Sequence, residues 1–379
     1  MLSTFARTTA HDERRRLSDR HLTAQICGGR TTTSLQHFLD SLDFDANEAA
    51  DVGNAFTALI DRSFGHLALP AHGDTLARWH ALAAVAACDL SLVKLFEGHT
   101  DALAILDELD GPSAPAQSRW GVWAAEPPGA KVVASTTGGT RLRLHGTKAW
   151  CSGAGIVTHA LITAWRDGGP VLAAVDMHQP RSISLDTSRW QAVGMRAVVS
   201  GDVHFDGASA VQVGTSGDYT RRPGFWQGGA GIAACWFGAA AGLAHHVRKA
   251  VATHADPYRL AHLGDIDVAL SGAAALLRET AACVDAHPAA DIKRKALRAR
   301  LVVEAAANVV MMCAGRALGA GPLCTDAGFA RAMADLPVFL RQSHAEHDLA
   351  ALGETLAGPS CAEQHIWTLG TSDIPDGTV

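Results

Sequence analysis

The sequence lacks the features of a disulfide-rich, zinc-binding or nucleic-acid-binding protein. Its eight cysteines lie far apart and include no C-x-x-C pair, which argues against a disulfide framework and against the common zinc motifs. Lysine and arginine total 32 against 38 acidic residues, so the basic surplus that duplex binding requires is missing. We therefore predict no metal site and no nucleic-acid partner.

Long apolar runs and targeting signals are also scarce. The one long uncharged run, residues 228–244, falls short of the ~18 apolar residues of a membrane span and consists mostly of glycine and alanine. Residues 1–30 include a charged cluster at 11–16 and lack the apolar core of a secretory signal. These absences predict a cytoplasmic protein without a membrane span.

The periodicity of the chain changes twice along its 379 residues, a length that exceeds one compact core. Apolar residues at helical spacing predict helices in the first and last thirds, and the Pro- and Ser-rich residues 111–118 indicate a linker. The predicted helices cover residues 34–42, 47–62, 75–96, 100–109, 228–251, 266–286, 291–318 and 327–352.

Short runs rich in Val, Thr and Trp lie between the helical regions and predict a small antiparallel β-barrel or sandwich. The predicted strands cover residues 120–125, 131–135, 141–150, 160–165, 170–177, 182–185 and 200–205. The fold class is therefore α+β and mostly α. The predicted domains are an N-terminal helical domain at 1–118, a central β-domain at 119–222, a C-terminal four-helix bundle at 223–357 and a tail at 358–379.

Several short motifs follow one another along this framework. They read FGHLALP at 64–70, LFEGH at 95–99, AEPPGA at 125–130, GTKAWCSGAG at 146–155, GMR at 194–196 with VHFD at 203–206, and GRALGAG at 315–321. In this order they resemble the acyl-CoA dehydrogenase superfamily of flavoproteins. The resemblance implies helical, β and helical domains in turn, a bound FAD, and a homodimer or homotetramer assembled through the last domain.

The resemblance also assigns a cofactor site. Trp150 would cover the isoalloxazine ring and the Ser152 hydroxyl would bond to its polar edge, because a flavin is both a stacking surface and an array of acceptors. The residues alone also allow a core Trp beside a turn Ser, a helix cap for the glycines and a solvated arginine. The residues assigned to the cofactor are Trp150, Ser152, Ala125, Glu126, Trp123, Gly319, Gly321 and Arg259. Ala125 replaces the threonine that is usual in the family.

The expected catalytic base is missing. Dehydrogenases of this superfamily remove an α-proton with a glutamate while a hydride goes to flavin N5. The usual glutamate position falls near Ser343, and the alternative position near residues 230–233 also lacks a carboxylate. Glu346 is the first candidate base and His344 the second, and a solvated helix face is the alternative interpretation of this segment. A His-x-x-His pair here has no third ligand, so no metal is assigned.

Three functions remain open. The first is an FAD-dependent dehydrogenase that acts on an acyl thioester, such as an acyl-CoA, or on a related small molecule. The second is a monooxygenase of the same fold, which uses reduced flavin and O₂ with Ser343 and His344 near the ring. The third is a flavoprotein that has lost catalysis together with its glutamate. The redox partner, an electron acceptor or a flavin reductase, is not readable from the sequence.

Overall fold

The computed structural model of the chain describes residues 34–358 and Trp367. Most of the predicted tail therefore lies outside the described residues. Four described helices precede the first strand, and their buried faces belong to one apolar core, except that the second half of α4 packs on the barrel. They are α1 (residues 34–40), α2 (Ala49–Asp61), α3 (Thr75–Cys88) and α4 (Leu90–Glu108).

The predicted helix at 75–96 is wrong in its extent, because the chain breaks at Asp89. This residue is extended, with φ -159° and ψ 138°, and its carboxylate accepts a hydrogen bond from the Leu92 N–H at 2.8 Å. An aspartate N-cap of this kind starts a new helix. α4 then continues without interruption through residues 97–99, where the sequence predicted a gap.

Seven strands follow the helices, and five of them close into a barrel. They are β1 (Trp120–Trp123), β2 (Val132–Gly138), β3 (Arg141–Cys151), β4 (His159–Arg166), β5 (Gly169–Asp176), β6 (Ile183–Asp186) and β7 (Gly201–Val213). The order around the barrel is β4, β2, β3, β7 and β5, and β5 pairs with β4 to complete the ring. β1 adds to β4 and β6 adds to β7.

The barrel is mainly antiparallel, as predicted, but its β2–β4 pairing is parallel. The added strand β1 also runs parallel to β4. β7 is longer than predicted, since it pairs with β3 from Gly201 to Val211 and with β5 up to Val213. Its length lets β7 pair with both β3 and β5 in the barrel.

The helices return after β7. They are α5 (Asp218–Arg221), α6 (Gly224–Thr253), α7 (Pro257–Ala286), α8 (Lys293–Leu318), α9 (Ala320–Thr325), α10 (Ala327–Phe339) and α11 (Glu346–Ala357). The single helix predicted at 327–352 is wrong, because a 3-10 turn (Leu340–Gln342) and a loop separate α10 from α11. Pro337 removes one backbone donor inside α10, and Ala345 has a left-handed φ of 48°, which no continuous helix allows.

α6 packs against α3 on one side and α8 on the other. At Gly238 the contact is so close that a Cβ atom would lie 2.1 Å from the carbonyl oxygen of Ala83 in α3. Trp79 of α3 and Trp236 of α6 are both buried in the same core. The helices before and after the barrel therefore share one apolar core.

α10 docks on the loop that precedes β7. Asp335 is 2% exposed, and its carboxylate accepts a hydrogen bond from the Met195 N–H at 2.6 Å. A Cβ atom at Gly194 would lie 2.0 Å from the Ala334 carbonyl oxygen, so this approach requires glycine. The contact fastens the barrel to the C-terminal helices just ahead of the loop between α10 and α11.

Three of the described helices, α6, α7 and α8, are long and apolar enough to cross a membrane, judged by length and composition alone. The sequence predicted that only the run at 228–244 approaches a membrane span and that it is too short. By length and composition this prediction is wrong. In the structure, 61% of the apolar window of α6 and 44% of that of α8 are buried, but only 17% of that of α7. α7 is thus the helix whose apolar residues the chain covers least.

Candidate functional site

A cleft of about 400 Å³ lies on the barrel beside the C-terminal end of β3. Its walls are the loop of residues 127–130, the end of β3, the loop after β6 and the start of β7. The β3–β7 ladder is irregular at this point, with a shift of register between Lys148 and Cys151. The side chains of the cleft that carry rings or charges belong to Trp150, Asp186, Arg189, Trp190, Asp202 and His204.

Trp150 presents its indole to this cleft. Its φ of 57° lies in the left-handed region, which is uncommon for a bulky residue and coincides with the irregular ladder. The residue is 59% exposed, although tryptophan is among the largest apolar side chains. A flat aromatic surface kept open by the backbone suits a planar ligand.

Ser152 and Trp123 lie elsewhere. Ser152 borders a second cavity, of about 10 Å³, between α4 and β1, together with Lys94 and Gly98. Trp123 is 3% exposed, belongs to the barrel core and donates its indole N–H to the Ser152 carbonyl at 3.0 Å. The register shift ends the alternation that would place residues 150 and 152 on one face. The Trp123 ring is packed in the barrel core, and its assignment to the cofactor stays a prediction.

The Glu126 carboxylate turns away from the cleft, and Ala125 before it lines neither cavity. Glu126 accepts hydrogen bonds from Lys148 Nζ at 3.2 Å, Thr163 Oγ1 at 2.8 Å and Trp165 Nε1 at 2.8 Å. Burial acts to raise the pKa of Glu126, but the hydrogen bonds from Trp165 and Thr163 and the charge of Lys148 lower it overall. The Lys148 side chain is fully buried. This pair anchors the loop that forms one wall of the cleft.

The sequence did not predict the polar groups of the cleft. The Arg189 guanidinium lies 3.4 Å from the Asp202 carboxylate, and the Thr147 hydroxyl is hydrogen-bonded to His204 Nδ1 at 2.8 Å. The Trp190 indole nitrogen is buried and has no partner among the described residues. No sequence signal could have found these residues, because the loop after β6 reaches the end of β3 only through the pairing of β3 and β6 with β7.

The three candidate catalytic residues lie in the loop between α10 and α11 and at the start of α11. Ser343 is 3% exposed, and its Oγ accepts a hydrogen bond from the Ala345 N–H at 3.2 Å. His344 is exposed, and its Nδ1 lies 3.4 Å from the buried Asp348 carboxylate, which also accepts the His344 N–H at 3.1 Å. Glu346 is exposed on the first turn of α11. This segment therefore buries a serine and an aspartate, and its glutamate faces solvent.

A buried ion pair on α4 adjoins the small cavity beside Ser152. Lys94 Nζ lies 2.9 Å from the Glu97 carboxylate, and burial raises the pKa of Glu97 against the opposing charge of Lys94. Arg300 of α8 donates to the carbonyl oxygens of Gly229 at 2.8 Å and Gln342 at 2.7 Å. Arg300 thereby ties α6 to the end of α10. The motif at 95–99 indicated this segment, but it did not predict the ion pair of Lys94 and Glu97.

Arg259, Gly319 and Gly321 come together at the C-terminal end of α8. Arg259 donates from Nε to the Ala317 carbonyl at 3.2 Å and from Nη1 to the His254 carbonyl at 3.1 Å. Gly319 ends α8 with φ 67°, a conformation that glycine adopts without strain. None of these residues lines the cleft beside Trp150.

Comparisons with known proteins were made by sequence and by structure. No family model and no curated protein matches the sequence. TdsC, a dibenzothiophene monooxygenase from Paenibacillus sp. A11-2 solved with FMN and indole, is 20% identical with a TM-score of 0.69, and the match covers 88% of this chain and 96% of TdsC. KijD3, solved with FMN and a dTDP-linked amino keto sugar, is 18% identical with a TM-score of 0.71, over 88% and 93% of the two chains.

A dehydrogenase is equally similar. Glutaryl-CoA dehydrogenase from Mycobacterium smegmatis is 17% identical with a TM-score of 0.73, and the match covers 87% of this chain and 94% of that one. These matches extend over the helices and the barrel alike. These matches show that the chain has the acyl-CoA dehydrogenase fold, as the motifs predicted.

Proposed function

We propose that the protein is a flavin-dependent monooxygenase, which uses a reduced flavin and O₂ to oxidise a small organic substrate. The observation that carries the proposal is the loop between α10 and α11, which offers the buried Ser343 and the pair of His344 with Asp348. A dehydrogenase needs a carboxylate that can take an α-proton, but Glu346 faces solvent. The likeness to TdsC, which is a monooxygenase, supports the same conclusion.

The cleft beside Trp150 is the site proposed for the flavin ring. The exposed indole offers a stacking surface, and the Arg189 guanidinium offers donors. The cleft volume lies near the lower end of the ~300–1,000 Å³ typical of ligand pockets. The FMN bound in TdsC and in KijD3 supports a mononucleotide such as FMN over the FAD expected from the sequence. A bound reduced flavin supplies the two electrons that oxygenation requires.

The residues proposed to manage protons lie in the loop between α10 and α11, and none of them lines the cleft beside Trp150. The Asp348 carboxylate lies close to His344 Nδ1, so it can orient the imidazole and leave Nε2 free to hold or release a proton. Ser343 Oγ accepts a hydrogen bond from the Ala345 N–H at 3.2 Å and donates none to any described residue. Arg300 holds this loop against α6 through the Gln342 carbonyl.

A dehydrogenase is the second candidate, and Glu97 is the observation that favours it. Its carboxylate is 8% exposed, and burial raises its pKa toward the range that suits a general base. Lys94, its partner, borders the same cavity as Ser152. In that reaction Glu97 would take the α-proton of an acyl thioester such as an acyl-CoA.

One set of assays separates the candidates. We expect the purified full-length chain to bind FMN or FAD, and to convert an aromatic or amine substrate only with O₂ and a flavin reductase. His344→Ala should lower that activity by at least about a hundredfold, within the usual contribution of general acid–base groups. Glu346→Gln is the matched control in the same loop and should leave turnover intact.

Other outcomes would decide against the proposal. Anaerobic bleaching of the bound flavin by acyl-CoAs, abolished in Glu97→Gln but not in His344→Ala, would establish the dehydrogenase instead. Failure of the folded chain to bind any flavin in titration would exclude both enzymes and leave a protein that has lost catalysis.

The proposal includes the location, the assembly and the partners of the protein. We propose a cytoplasmic homodimer or homotetramer that works with a separate flavin reductase and binds no nucleic acid. α6 and α8 support a packed bundle rather than membrane spans, because each buries much of its apolar window against other helices of the chain. α7 leaves most of its apolar window exposed, as a subunit contact would require.

A further inference from the structure

We propose that His262, Asp265 and Cys313 form a binding site for a zinc-like divalent metal ion between α7 and α8. His262 and Asp265 stand three residues apart on α7, so they share one face of that helix, and Cys313 comes from α8. One ligand atom from each, an imidazole nitrogen, a carboxylate oxygen and the thiol sulfur, lies within 4.8 Å of the other two. Three different metal-binding groups therefore converge on one point.

Contacts within the chain do not explain this cluster. Among the described residues, none of the three side chains takes part in a hydrogen bond or an ion pair. The other compact cluster, His344 and His347 with Asp348, differs because the Asp348 carboxylate already accepts the His344 N–H and lies 3.4 Å from its imidazole. That second cluster needs no metal, whereas the first leaves its ligand atoms unused.

The ligand types select the kind of ion. A thiolate, an imidazole and a carboxylate together suit zinc, while magnesium and calcium prefer oxygen ligands throughout. Cys313 is fully buried, His262 is half-buried and Asp265 is exposed, so the site has an open side for entry and for a water as fourth ligand. On binding, the thiol proton passes to solvent and the sulfur becomes a thiolate ligand.

A metal ion at this site would also affect the position of Arg259. His262 lies one helical turn after Arg259 on α7, and Cys313 lies one turn before Ala317 on α8, the residue whose carbonyl accepts the Arg259 hydrogen bond. A metal ion would clamp the start of α7 to the end of α8 and fix Arg259. This site is independent of the proposed monooxygenase activity.

The test is titration of the full-length chain with Co²⁺, a coloured substitute for zinc, after removal of bound flavin, metals and any histidine tag. We expect one equivalent to bind with a thiolate-to-cobalt charge-transfer band, and Zn²⁺ to displace it. Cys313→Ser should abolish the band, and His262→Gln should weaken binding by more than about tenfold. Cys283→Ser, on α7, is the matched cysteine control and should keep the band.

The result that overturns the proposal is binding that does not depend on these residues. A wild-type chain without the charge-transfer band, or Cys313→Ser with an unchanged band and affinity, would have this meaning. Because Cys313 is a core residue, circular dichroism must first show that its variant is folded. The half-buried His262→Gln provides the same test if it is not.

Discussion

Trp150 is the residue on which the flavin site depends most directly. Its indole is exposed and its backbone is left-handed, so the chain places an aromatic face outward where burial would otherwise favour the core. We expect Trp150→Ala to weaken flavin binding about tenfold, the scale of one lost aromatic contact, and Trp150→Phe to keep most of the affinity. Quenching of flavin fluorescence measures both. Equal affinity in all three proteins would place the flavin elsewhere.

The pair of Glu126 and Lys148 positions the loop that forms one wall of the cleft. Lys148 is fully buried, so removal of its partner leaves an uncompensated charge in the barrel. We expect Glu126→Ala to lower the free energy of unfolding by about 3 kcal/mol, and the double variant with Lys148→Met to recover part of that loss. Chemical denaturation monitored by circular dichroism gives both values. A double variant no more stable than Glu126→Ala would contradict this account.

Asp335 makes stability depend on pH. Burial raises its pKa from 3.8 to about 6, against the hydrogen bond from Met195, so the folded protein keeps a proton that the unfolded chain has lost. The stabilisation from this group is complete below the unfolded pKa and disappears as pH rises through the folded pKa. We expect Asp335→Asn to gain stability relative to wild type between pH 4.5 and 7.5, on the order of 2 kcal/mol. A difference that does not vary with pH would refute the assignment.

The contact between α3 and α6 rests on one glycine. A Cβ at Gly238 would lie 2.1 Å from the Ala83 carbonyl, whereas a Cβ at Gly229 on the same helix would meet nothing within 4 Å. We expect Gly238→Ala to destabilise the protein by about 2–3 kcal/mol through overpacking. Gly229→Ala should stabilise it by up to about 1 kcal/mol through helix propensity. Thermal denaturation of the two variants compares them, and equal midpoints would contradict the close approach.

The positions of the strands could be predicted from the sequence, whereas the helix breaks and the length of β7 could not. Glycine and aspartate turns mark most strand limits locally, but β7 continues through Gly207 to Val213. The break at Asp89 depends on one capping carboxylate, and the break near Ala345 on a left-handed backbone that alanine does not signal. The motif around Trp150 indicated the site, but its other wall comes from residues some 40 positions later and appears only when the barrel closes.

The whole molecule leaves an apolar surface on α7. Leu260 is 51% exposed and Val268 is 75% exposed, on a helix that buries little of its apolar window. We expect the full-length chain to be a dimer or larger, and Val268→Glu to shift it toward monomer by at least about tenfold in dissociation constant, since a charge on a subunit contact is costly. Light scattering after gel filtration measures the mass. Val193→Glu is the control, at a residue 84% exposed in the loop before β7.

Barrel closure sets the order in which the chain can fold during synthesis. β7 supplies the last pairings of the barrel, with β3 and β5, and it ends at Val213. α3 packs on α6, which begins only at Gly224. The N-terminal helices thus emerge from the ribosome long before the surfaces that cover them, and a barrel of distant pairings forms slowly. Chaperones should therefore protect nascent chains shorter than about 250 residues, and the yield of folded protein should be lower without them.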